Sequence, residues 1–417
     1  MASLFTRRNL LRLILLAVFA VAALGVLPGP WSRWRVALPG LSPLLSLGGA
    51  LAARSAGALT LLGLPLLLLP LFKGRFFCWK LCPMGFVAET ASRLNPRGTG
   101  LIRKVPFIGK ALAPVMLGSA AAGWPLFIWT DPLCVFNGFF AAWHKPVSIL
   151  SAATALGFVL IVLASVIAPN IWCHRLCPLG GLEEWLTQLG NRFRAPRPAA
   201  PPAAAAPASV GRRVFLGFAI GGLAGLAYGG VKRIVTRVVA VIRPPGAAAA
   251  FNALCARCGN CMRACPKGLI VPDLGASGID GLFTPRVAFR SQNADQEKYC
   301  EADCHACTEV CPTRALVPLT NEEKQQTAIG LARLDKKLCI AWEKREYCVV
   351  CEEYCPYHAV STEDKDGVKC PTVDAEKCRG CGACESNCPA LPIAIVVEGR
   401  SPQVRLTAPS PQLEGNA

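Results

Sequence analysis

Sixteen of the twenty-two cysteines in this 417-residue chain fall into four runs, and each run ends in Cys-Pro. The runs are Cys255-x2-Cys258-x2-Cys261-x3-Cys265, Cys300-x3-Cys304-x2-Cys307-x3-Cys311, Cys339-x8-Cys348-x2-Cys351-x3-Cys355 and Cys378-x2-Cys381-x2-Cys384-x3-Cys388. The first and fourth runs have the spacing of bacterial ferredoxins, and the other two differ only in the distance to their first cysteine. In that pattern three closely spaced thiolates hold three corners of a cubane cluster. The cysteine before proline reaches a fourth corner, often on a neighbouring cluster.

A disulfide framework and a set of zinc ribbons are the structural alternatives for so many cysteines. Disulfides do not require a repeated spacing, and zinc sites usually combine two separated Cys-x2-Cys pairs. The four runs therefore predict four [4Fe-4S] clusters bound by these sixteen cysteines, and with them a role in electron transfer.

Charge is divided unevenly along the chain. Residues 1–250 carry a net charge of +21 and residues 251–417 a net charge of −3, which together give the formal +18. The basic half also contains the long apolar segments, so its cations flank hydrophobic runs as they do in membrane proteins. A nucleic-acid-binding protein would instead carry a basic patch on a folded soluble domain. We therefore expect membrane lipid as a partner and no nucleic acid.

Four apolar segments are long enough to cross a membrane as helices. They cover Leu10–Leu27, Ala56–Phe72, Ala111–Trp129 and Val147–Ala168. Basic residues concentrate before the first segment, between the second and third, and after the fourth, so the positive-inside rule places the N-terminus in the cytoplasm. The first segment also has the composition of a signal peptide, but three more apolar segments follow, so we expect a retained helix.

A Pro/Ala-rich linker precedes a further apolar stretch that begins Gly211-Arg212-Arg213-Val214-Phe215-Leu216. This stretch is either an internal twin-arginine export signal or a fifth membrane helix with basic flanks. Both alternatives place the C-terminal part of the chain outside the cytoplasm.

The sequence thus predicts an all-α membrane domain of four to five transmembrane helices and a small α+β bacterial-ferredoxin-like domain with four cluster motifs. The predicted boundaries are 1–194 for the membrane domain, 195–210 for the linker, 211–245 for the signal-like segment or fifth helix, 246–400 for the polyferredoxin domain and 401–417 for a disordered tail. In the polyferredoxin domain we expect short hairpins and single helices around the clusters. The spacing leaves open whether the clusters pair first with second or first with fourth.

A second cysteine pattern repeats within the membrane part at an offset of 95 residues. Phe77-Cys78-Trp79-Lys80-Leu81-Cys82-Pro83 aligns with Trp172-Cys173-His174-Arg175-Leu176-Cys177-Pro178, and Glu89 aligns with Glu184. Each copy follows an outside-to-inside segment, so the repeat predicts a pseudo-twofold axis along the membrane normal. Lys80 and Arg175, between the cysteines of each pair, favour the thiolate form. The four thiols could ligate one further Fe–S centre, exchange electrons as dithiols, or pack as small apolar residues.

The remaining cysteines and histidines carry weaker signals. Cys370 is an alternative ligand to Cys339, which we prefer because it lies upstream of its triad. Cys134 stands in a predicted outside loop, and we expect it to be structural or unpaired. His144, at the expected outer membrane edge, is either a proton acceptor or an interfacial residue without a role. The chain has no Cys-x2-Cys-His haem motif.

Together, the two cysteine patterns resemble a known redox system. The part with two Cys-x3-Cys-Pro motifs resembles NapH, the membrane component of a quinol dehydrogenase associated with periplasmic nitrate reductase. The part from Arg212 onward, an arginine pair followed by four ferredoxin runs, resembles the NapG/MauM polyferredoxins. The resemblance covers nearly the whole chain as a fusion of the two, and related modules serve nitrous oxide reduction and methylamine oxidation. The chain departs from the family in its internal signal-like segment and in the eight residues that follow Cys339.

This resemblance implies quinol oxidation at the membrane and delivery of electrons through [4Fe-4S] clusters to a periplasmic reductase or multihaem cytochrome c. The chain would then be a quinol dehydrogenase component or electron-transfer subunit. It would lie in the bacterial inner (cytoplasmic) membrane beside the quinone pool, with its ferredoxin domain in the periplasm. The alternative is an accessory or maturation factor that supplies electrons to activate a periplasmic metalloenzyme. The sequence contains no Walker loop, dinucleotide-binding glycine run or hydrolytic triad.

Overall fold

The computed structural model describes residues 7–24, 37–54, 58–95, 100–143, 155–193, 208–235, 241–290 and 298–406. These residues form two compact units, a helical unit and a cysteine-rich unit. The helical unit comprises the described residues of Met1–Thr236, Asn252–Asn260 and Pro312–Ala315, and the cysteine-rich unit those of Arg237–Phe251, Cys261–Cys311 and Leu316–Ala417. Two short segments of the first two cysteine runs therefore group with the helices, which a linear division of the chain did not predict. His144 and residues 195–207 of the predicted linker lie outside the described residues.

Helices in the helical unit follow apolar runs that contain few charged residues. They are α1 (Arg7–Leu24), α2 (Ala37–Gly40), α3 (Pro43–Ala53), α4 (Ala58–Lys73), α5 (Phe76–Lys80), α6 (Pro83–Ser92), α7 (Leu101–Lys104), α8 (Ile108–Ala121), α9 (Pro132–Ala141), α10 (Leu156–Ile167), α11 (Pro178–Phe193) and α12 (Ala208–Val235). A 3-10 turn covers Ile128–Thr130 and a π-helical turn covers Trp172–Leu176. Helices α3, α6 and α9 begin with proline, which needs no N–H partner there. The side chains just before those prolines, Ser42, Cys82 and Asp131, accept hydrogen bonds from backbone N–H groups of the first turn.

The four predicted spans correspond to helices of unequal length. Among the described residues, one helix, Gly211–Val231 within α12, is long and apolar enough to cross a membrane, judged by its length and composition. Shorter apolar helices cover Asn9–Ala22, Pro43–Ala53, Ile108–Ala121 and Leu156–Ile167. The third predicted span ends early because Gly123, with a φ of +85°, and Pro125 follow α8. The membrane domain of four to five helices is therefore not confirmed and stays a prediction.

Small residues bring α12 into contact with α8. Glycines recur at four-residue intervals along α12, from Gly217 to Gly229. A Cβ atom at Gly221 would lie 2.1 Å from the carbonyl oxygen of Val115, so no larger side chain fits there without a backbone shift. Such small-residue patterns allow the backbones of apolar helices to approach closely. This packing makes α12 an integral helix of the helical unit.

The cysteine-rich part of the chain forms short helices and two-stranded antiparallel sheets. The sheets join β1 (Ile270–Pro272) to β2 (Pro285–Val287), β3 (Thr327–Leu334) to β6 (Ile395–Arg405), and β4 (Val360–Lys365) to β5 (Val368–Val373). The helices are α13 (Phe251–Leu254), α14 (Asn260–Ala264), α15 (Ala306–Glu309), α16 (Asn321–Gln326), α17 (Val350–Glu353) and α18 (Ala383–Ser386), with a 3-10 turn at Ile279–Gly281 and a π-helical turn at Ile340–Lys344. This is the α+β arrangement of hairpins and single helical turns that the cysteine runs predict.

Strand pairing sets the C-terminal limit of this part of the chain. Thr327 pairs with Arg405 at one end of the β3–β6 ladder, and Leu334 pairs with Ile395 at the other. Strand β6 thus extends five residues beyond the predicted domain end at residue 400, and these residues continue the ladder with β3. Residues 407–417 lie outside the described part of the chain.

Cysteine side chains form part of the apolar core of the cysteine-rich unit. Ile329 on β3 and Ile395 on β6 are buried in a cluster that also contains Cys378, Cys381 and Cys384. Where binding of a metal centre contributes to folding, a small domain can manage with a smaller apolar core.

Candidate iron–sulfur centres

The third and fourth cysteine runs exchange their last members. Cys378, Cys381 and Cys384 line a cavity together with Cys355, which ends the third run. In the other direction, Cys339, Cys348 and Cys388 are all close enough to Cys351 for their charges to interact. Each set thus takes three cysteines from one run and the cysteine before proline from the other.

The first and second runs show the same exchange. Cys300, Cys304 and Cys307 line a second cavity together with Cys265, which ends the first run. For the first centre, the ferredoxin spacing alone implies Cys311 as the exchanged ligand. The structure therefore pairs the first run with the second and the third with the fourth, a choice that the spacing left open.

Backbone N–H groups support the cysteines that precede proline. The Sγ atoms of these cysteines accept hydrogen bonds of 3.3–3.4 Å from residues four or five positions later: Cys265 from Leu269, Cys311 from Leu316, and Cys355 from Ala359. Hydrogen bonds to cluster sulfurs are among the factors that set the potential of an Fe–S centre.

The chemistry of these sets fits iron–sulfur clusters. No disulfide joins cysteines in the described residues, and no three His, Cys, Asp or Glu side chains there lie close enough to hold a single metal ion. A cubane holds its four thiolates at separate corners, and four cysteines line each of the two cavities. Burial raises the pKa of Cys351 and of Cys381 to about 12. Ligation to iron would therefore supply the driving force for deprotonating them.

The two Cys-x3-Cys-Pro copies have the same local geometry. The N–H groups of Cys82 and Cys177 each donate to the carbonyl group five residues earlier, at 2.9 and 2.8 Å. Their Sγ atoms accept hydrogen bonds from Gly85 and Gly180, both at 3.4 Å. The 95-residue repeat in the sequence is thus a repeat of individual hydrogen bonds in the structure.

The four thiols of the repeat lie close together. Cys78 is close enough to Cys82 and Cys177 for their charges to interact, and Cys82 is similarly close to Cys173. Cys82 and Cys177 are buried, whereas Cys78 and Cys173 are half-buried. The arrangement brings together the thiols that one additional cluster would require.

One cation that acts on two of these thiols, Arg75, is not among those that the sequence suggested. The charge of Arg75 acts on both Cys78 and Cys173, and its guanidinium group donates to the Cys173 carbonyl at 2.8 Å. Lys80 and Arg175, which the sequence suggested for this role, lie over aromatic rings at 5.0 and 3.8 Å from the ring centres.

Glu183 is a buried carboxylate that the sequence patterns did not single out. It is 1% exposed and accepts hydrogen bonds from the backbone N–H groups of Phe77 at 3.1 Å and Cys78 at 3.3 Å. The 95-residue offset places a buried alanine, Ala88, at the corresponding position of the first copy. The carboxylate is therefore present on one side of the repeat only. The change from Ala-Glu in the first copy to Glu-Glu in the second was the sequence signal for it.

Helix α9 contacts the start of the first cysteine run. Cys134 lies on this helix, fully buried, and not in the outside loop that the sequence predicted, because Asp131 caps a helix there. Cys134 is close enough to Cys255 and Cys258 for their charges to interact. The buried Asn137, one turn further on, donates from its amide to the Cys258 carbonyl at 2.6 Å. The start of the run, from Cys255 to Asn260, is thus held against α9.

Comparison with known families supports cluster binding along much of the chain. Residues 254–316 match a family described as a 4Fe-4S dicluster domain, and residues 371–393 match a 4Fe-4S binding domain. Residues 56–104 and 150–196 match a further family described as a 4Fe-4S binding domain, and each segment contains one Cys-x3-Cys-Pro copy.

Similarity to two curated relatives shows the family to which the chain belongs. The methylamine utilization ferredoxin-type protein MauM of Methylophilus methylotrophus is 34% identical over 167 residues, which are 38% of this chain and 71% of the relative. The ferredoxin-type protein NapG of Escherichia coli (strain K12) is 33% identical over 195 residues, which are 43% of this chain and 81% of the relative. This chain belongs to the MauM/NapG family of ferredoxin-type proteins. No solved structure matches it.

As a MauM/NapG-type protein, the chain binds [4Fe-4S] clusters and is related to iron–sulfur electron-transfer proteins. The ferredoxin-type protein NapF of Escherichia coli (strain K12) is a further relative, 30% identical over 36% of this chain and 82% of its own length. These matches support the polyferredoxin part of the expected fusion. The NapH-type assignment of the remainder is not confirmed by them.

Within this MauM/NapG-type chain, Cys339 and Cys370 occupy different environments. Cys339 is the cysteine whose charge acts most strongly on Cys351. Cys370 lies on β5, is fully buried, and directs its Sγ atom to the carbonyl oxygen of Ala341 at 3.5 Å. The geometry thus favours Cys339 over Cys370 as the cluster ligand beside Cys348, Cys351 and Cys388. This assignment stays a prediction.

Proposed function

We propose that this chain is a membrane-bound electron-transfer protein that passes electrons from quinol through [4Fe-4S] clusters to a periplasmic reductase or multihaem cytochrome, as in a nitrate-reductase-type system. Its proposed location is the bacterial inner membrane, with the cysteine-rich unit in the periplasm. Oxidation of one quinol to the quinone releases two electrons and two protons. The electrons enter the clusters one at a time, and the protons pass to solvent. The relatives named NapG and the basic flanks of the apolar segments support this assignment.

The position of α9 is the observation that carries the proposal. Asp131, at the start of α9, is close enough to Cys82 and Cys177 for their charges to interact. Cys134, one turn further, is similarly close to Cys258. One short helix therefore lies beside both the Cys-x3-Cys-Pro thiols and the start of the first ferredoxin run. In this proposal the repeat and that run lie on the same side of the membrane, whereas the position of each copy after an outside-to-inside segment predicts the cytoplasmic side for the repeat. This arrangement supports electron transfer from the repeat into the first ferredoxin cluster.

We assign a fifth [4Fe-4S] cluster to Cys78, Cys82, Cys173 and Cys177. Such a cluster would supply a one-electron carrier at the end of the helical unit. The match of both repeat copies to a 4Fe-4S binding domain family supports it. Around it, the chain's own groups hold the backbone: the Glu183 carboxylate accepts from the Cys78 N–H, as described above.

The proposed quinol site is a cavity of about 480 Å³ between α8, α11 and α12. Apolar side chains such as Leu182 and Phe215 line most of it, together with Trp185 and Gln188. Ligand sites of this kind measure about 300–1,000 Å³ and combine an apolar wall with a few polar groups. The buried Oε1 atom of Gln188 has no hydrogen-bond partner among the described residues, and we propose it as the acceptor for a quinol hydroxyl. Cys177 directly precedes α11, about 7.5 Å of helix rise from Leu182.

The test is to add menaquinol to the anaerobically purified protein and to follow the reduction of its clusters by EPR. Wild-type protein should be reduced, whereas Cys82→Ser and Cys177→Ser should lose this reduction and keep the ferredoxin clusters reducible by dithionite. Cys370→Ser is the matched control and should behave as wild type. Menaquinol reduction of the two repeat variants at the wild-type rate would overturn the proposal. A wild-type protein that dithionite reduces and menaquinol does not would favour the accessory role instead.

A further inference from the structure

The cysteine-rich unit joins its two pairs of cysteine runs at one point. The backbone N–H of Cys300, in the second run, donates to the carbonyl of Cys381, in the fourth run, at 2.8 Å. Because the first run pairs with the second and the third with the fourth, this contact makes the second and fourth centres neighbours. The four centres then follow the order first, second, fourth, third.

A buried lysine lies at this junction. Lys324 is in the last turn of α16 and is 3% exposed, whereas lysines are almost never fully buried unless paired. Its Nζ atom donates to the carbonyl of Glu301 at 3.2 Å. Thr320 and Glu323 form a capping box at the other end of α16, which fixes the helix that carries the lysine.

The groups around Lys324 belong to two different centres. Cys300 and Cys307 come from the second run and Cys381 from the fourth, and all three are close enough for their charges to act on the ammonium group. Tyr357 is the other nearby group, and its hydroxyl has no hydrogen-bond partner in the described part of the chain. Lys324 thus lies between the second and fourth runs, with its ammonium group on the carbonyl of Glu301, the residue next to Cys300.

A second cation near the junction has different partners. Arg379, in the fourth run, lies 5.8 Å from the centre of the Tyr357 ring. Its guanidinium group donates to the carbonyls of Gln325 and Glu376, at 2.7 and 2.9 Å. These hydrogen bonds join two backbone segments through the Arg379 side chain, so Arg379 has a structural role. Lys324 differs from Arg379, because its Nζ atom donates to the Glu301 carbonyl and its charge interacts with thiols of two runs.

We propose that Lys324 is a fixed positive charge that raises the reduction potentials of the second and fourth centres together. Each reduction adds one negative charge to a cluster, and a nearby cation in a medium of low dielectric constant stabilises the reduced form. Lys324 thereby raises the potentials of the second and fourth centres, in the middle of the relay, above the values that they would have without this charge. The first and third centres stand at its two ends. This inference rests on the proposed cluster binding and is independent of the quinol step.

The test is an EPR-monitored redox titration of full-length protein with dithionite and mediators, without quinol. Lys324→Met keeps the apolar stem of the side chain and removes its charge, Lys324→Gln is a second neutral variant, and Lys324→Arg keeps the charge. Lys337→Gln removes a charge from an exposed surface position and is the matched control. We expect two of the centres to shift to lower potentials in the neutral variants, with the remaining centres unshifted. Lys324→Arg and Lys337→Gln should titrate as wild type.

Three results would overturn the proposal. The first is unchanged potentials in a neutral variant that retains full iron content. The second is an equal shift of all centres, which would indicate general rearrangement. The third is loss of iron from both neutral variants while Lys324→Arg retains it, because the lysine would then act in cluster assembly. Failure of menaquinol to reduce the protein would contradict the proposed function and leave these potentials unaffected.

Discussion

The side-chain amide of Asn137 donates to two acceptors in the first cysteine run, the Cys258 carbonyl at 2.6 Å and the Asn260 Oδ1 atom at 2.7 Å. The amide is fully buried, and buried donors of this kind are costly to leave unpaired. Both contacts lie within the helical unit, beside Cys134 on α9. Asn137 therefore positions the backbone that carries Cys258.

Replacement of Asn137 tests this positioning role. Asn137→Leu should remove one donor from two buried acceptors, at a cost of about 0.5–1.5 kcal/mol for each lost hydrogen bond. We expect a lower midpoint of thermal unfolding and slower reduction of the first cluster by menaquinol. Dithionite reduction serves as the internal control and should proceed as in the wild type. Quinol-driven reduction at the wild-type rate in a folded, iron-replete variant would contradict the role of this contact in electron entry.

A pair of cysteine variants distinguishes a ligand from a buried thiol. Cys339→Ser should remove one cluster, a loss of about four iron atoms per chain, because serine is a poor substitute for a thiolate ligand. Cys370→Ser should keep its iron, since a hydroxyl can donate to the Ala341 carbonyl as the thiol does. Iron and sulfide quantitation on anaerobically purified protein checks both. The reverse pattern would make Cys370 the ligand.

Helix packing predicts how the protein responds to a larger residue on α12. Gly221→Val should force α12 away from the Val115 carbonyl and destabilise the helical unit, by about 1–3 kcal/mol as for other overpacked contacts. Gly230→Val is the control, because a Cβ atom there meets nothing within 4 Å. Thermal unfolding in detergent measures the difference. Equal stability of the two variants would mean that α12 does not pack on α8 in the folded protein.

Two adjacent glutamates should differ sharply in importance. Glu183→Ala leaves the N–H groups of Phe77 and Cys78 without their acceptor, so we expect a loss of about 1–3 kcal/mol per group and loss of the fifth cluster's iron. Glu184→Ala removes a half-exposed ion pair with Lys110, worth about 0–1 kcal/mol, and a part-buried hydrogen bond from the Gln188 amide at 3.2 Å. Unfolding and iron content measured side by side check the prediction. A larger effect from Glu184→Ala would contradict it.

Short-range patterns in the sequence predict both the cluster-binding runs and the repeated turns. The spacing of the ferredoxin runs predicts cluster binding because a cubane needs three thiolates within a few residues of one another. The 95-residue offset likewise predicts matching turns, and Cys82 and Cys177 make equivalent hydrogen bonds. Such features depend on neighbours along the chain, so a single sequence contains them. The lengths of the helices were less well predicted, because Gly and Pro residues such as Gly123 and Pro125 end an apolar run early.

The sequence by itself determined which cysteines form runs and where the repeat lies, since both follow from local spacing. Only the tertiary structure decided the pairing of first run with second and third with fourth, the meeting of Cys300 with Cys381, and the placement of Lys324 between two centres. It also brought Glu183 to Cys78, more than 100 positions away in the chain. These relationships depend on how segments that are distant in the sequence pack together in the folded protein. Spacing along the chain carries no information about such contacts.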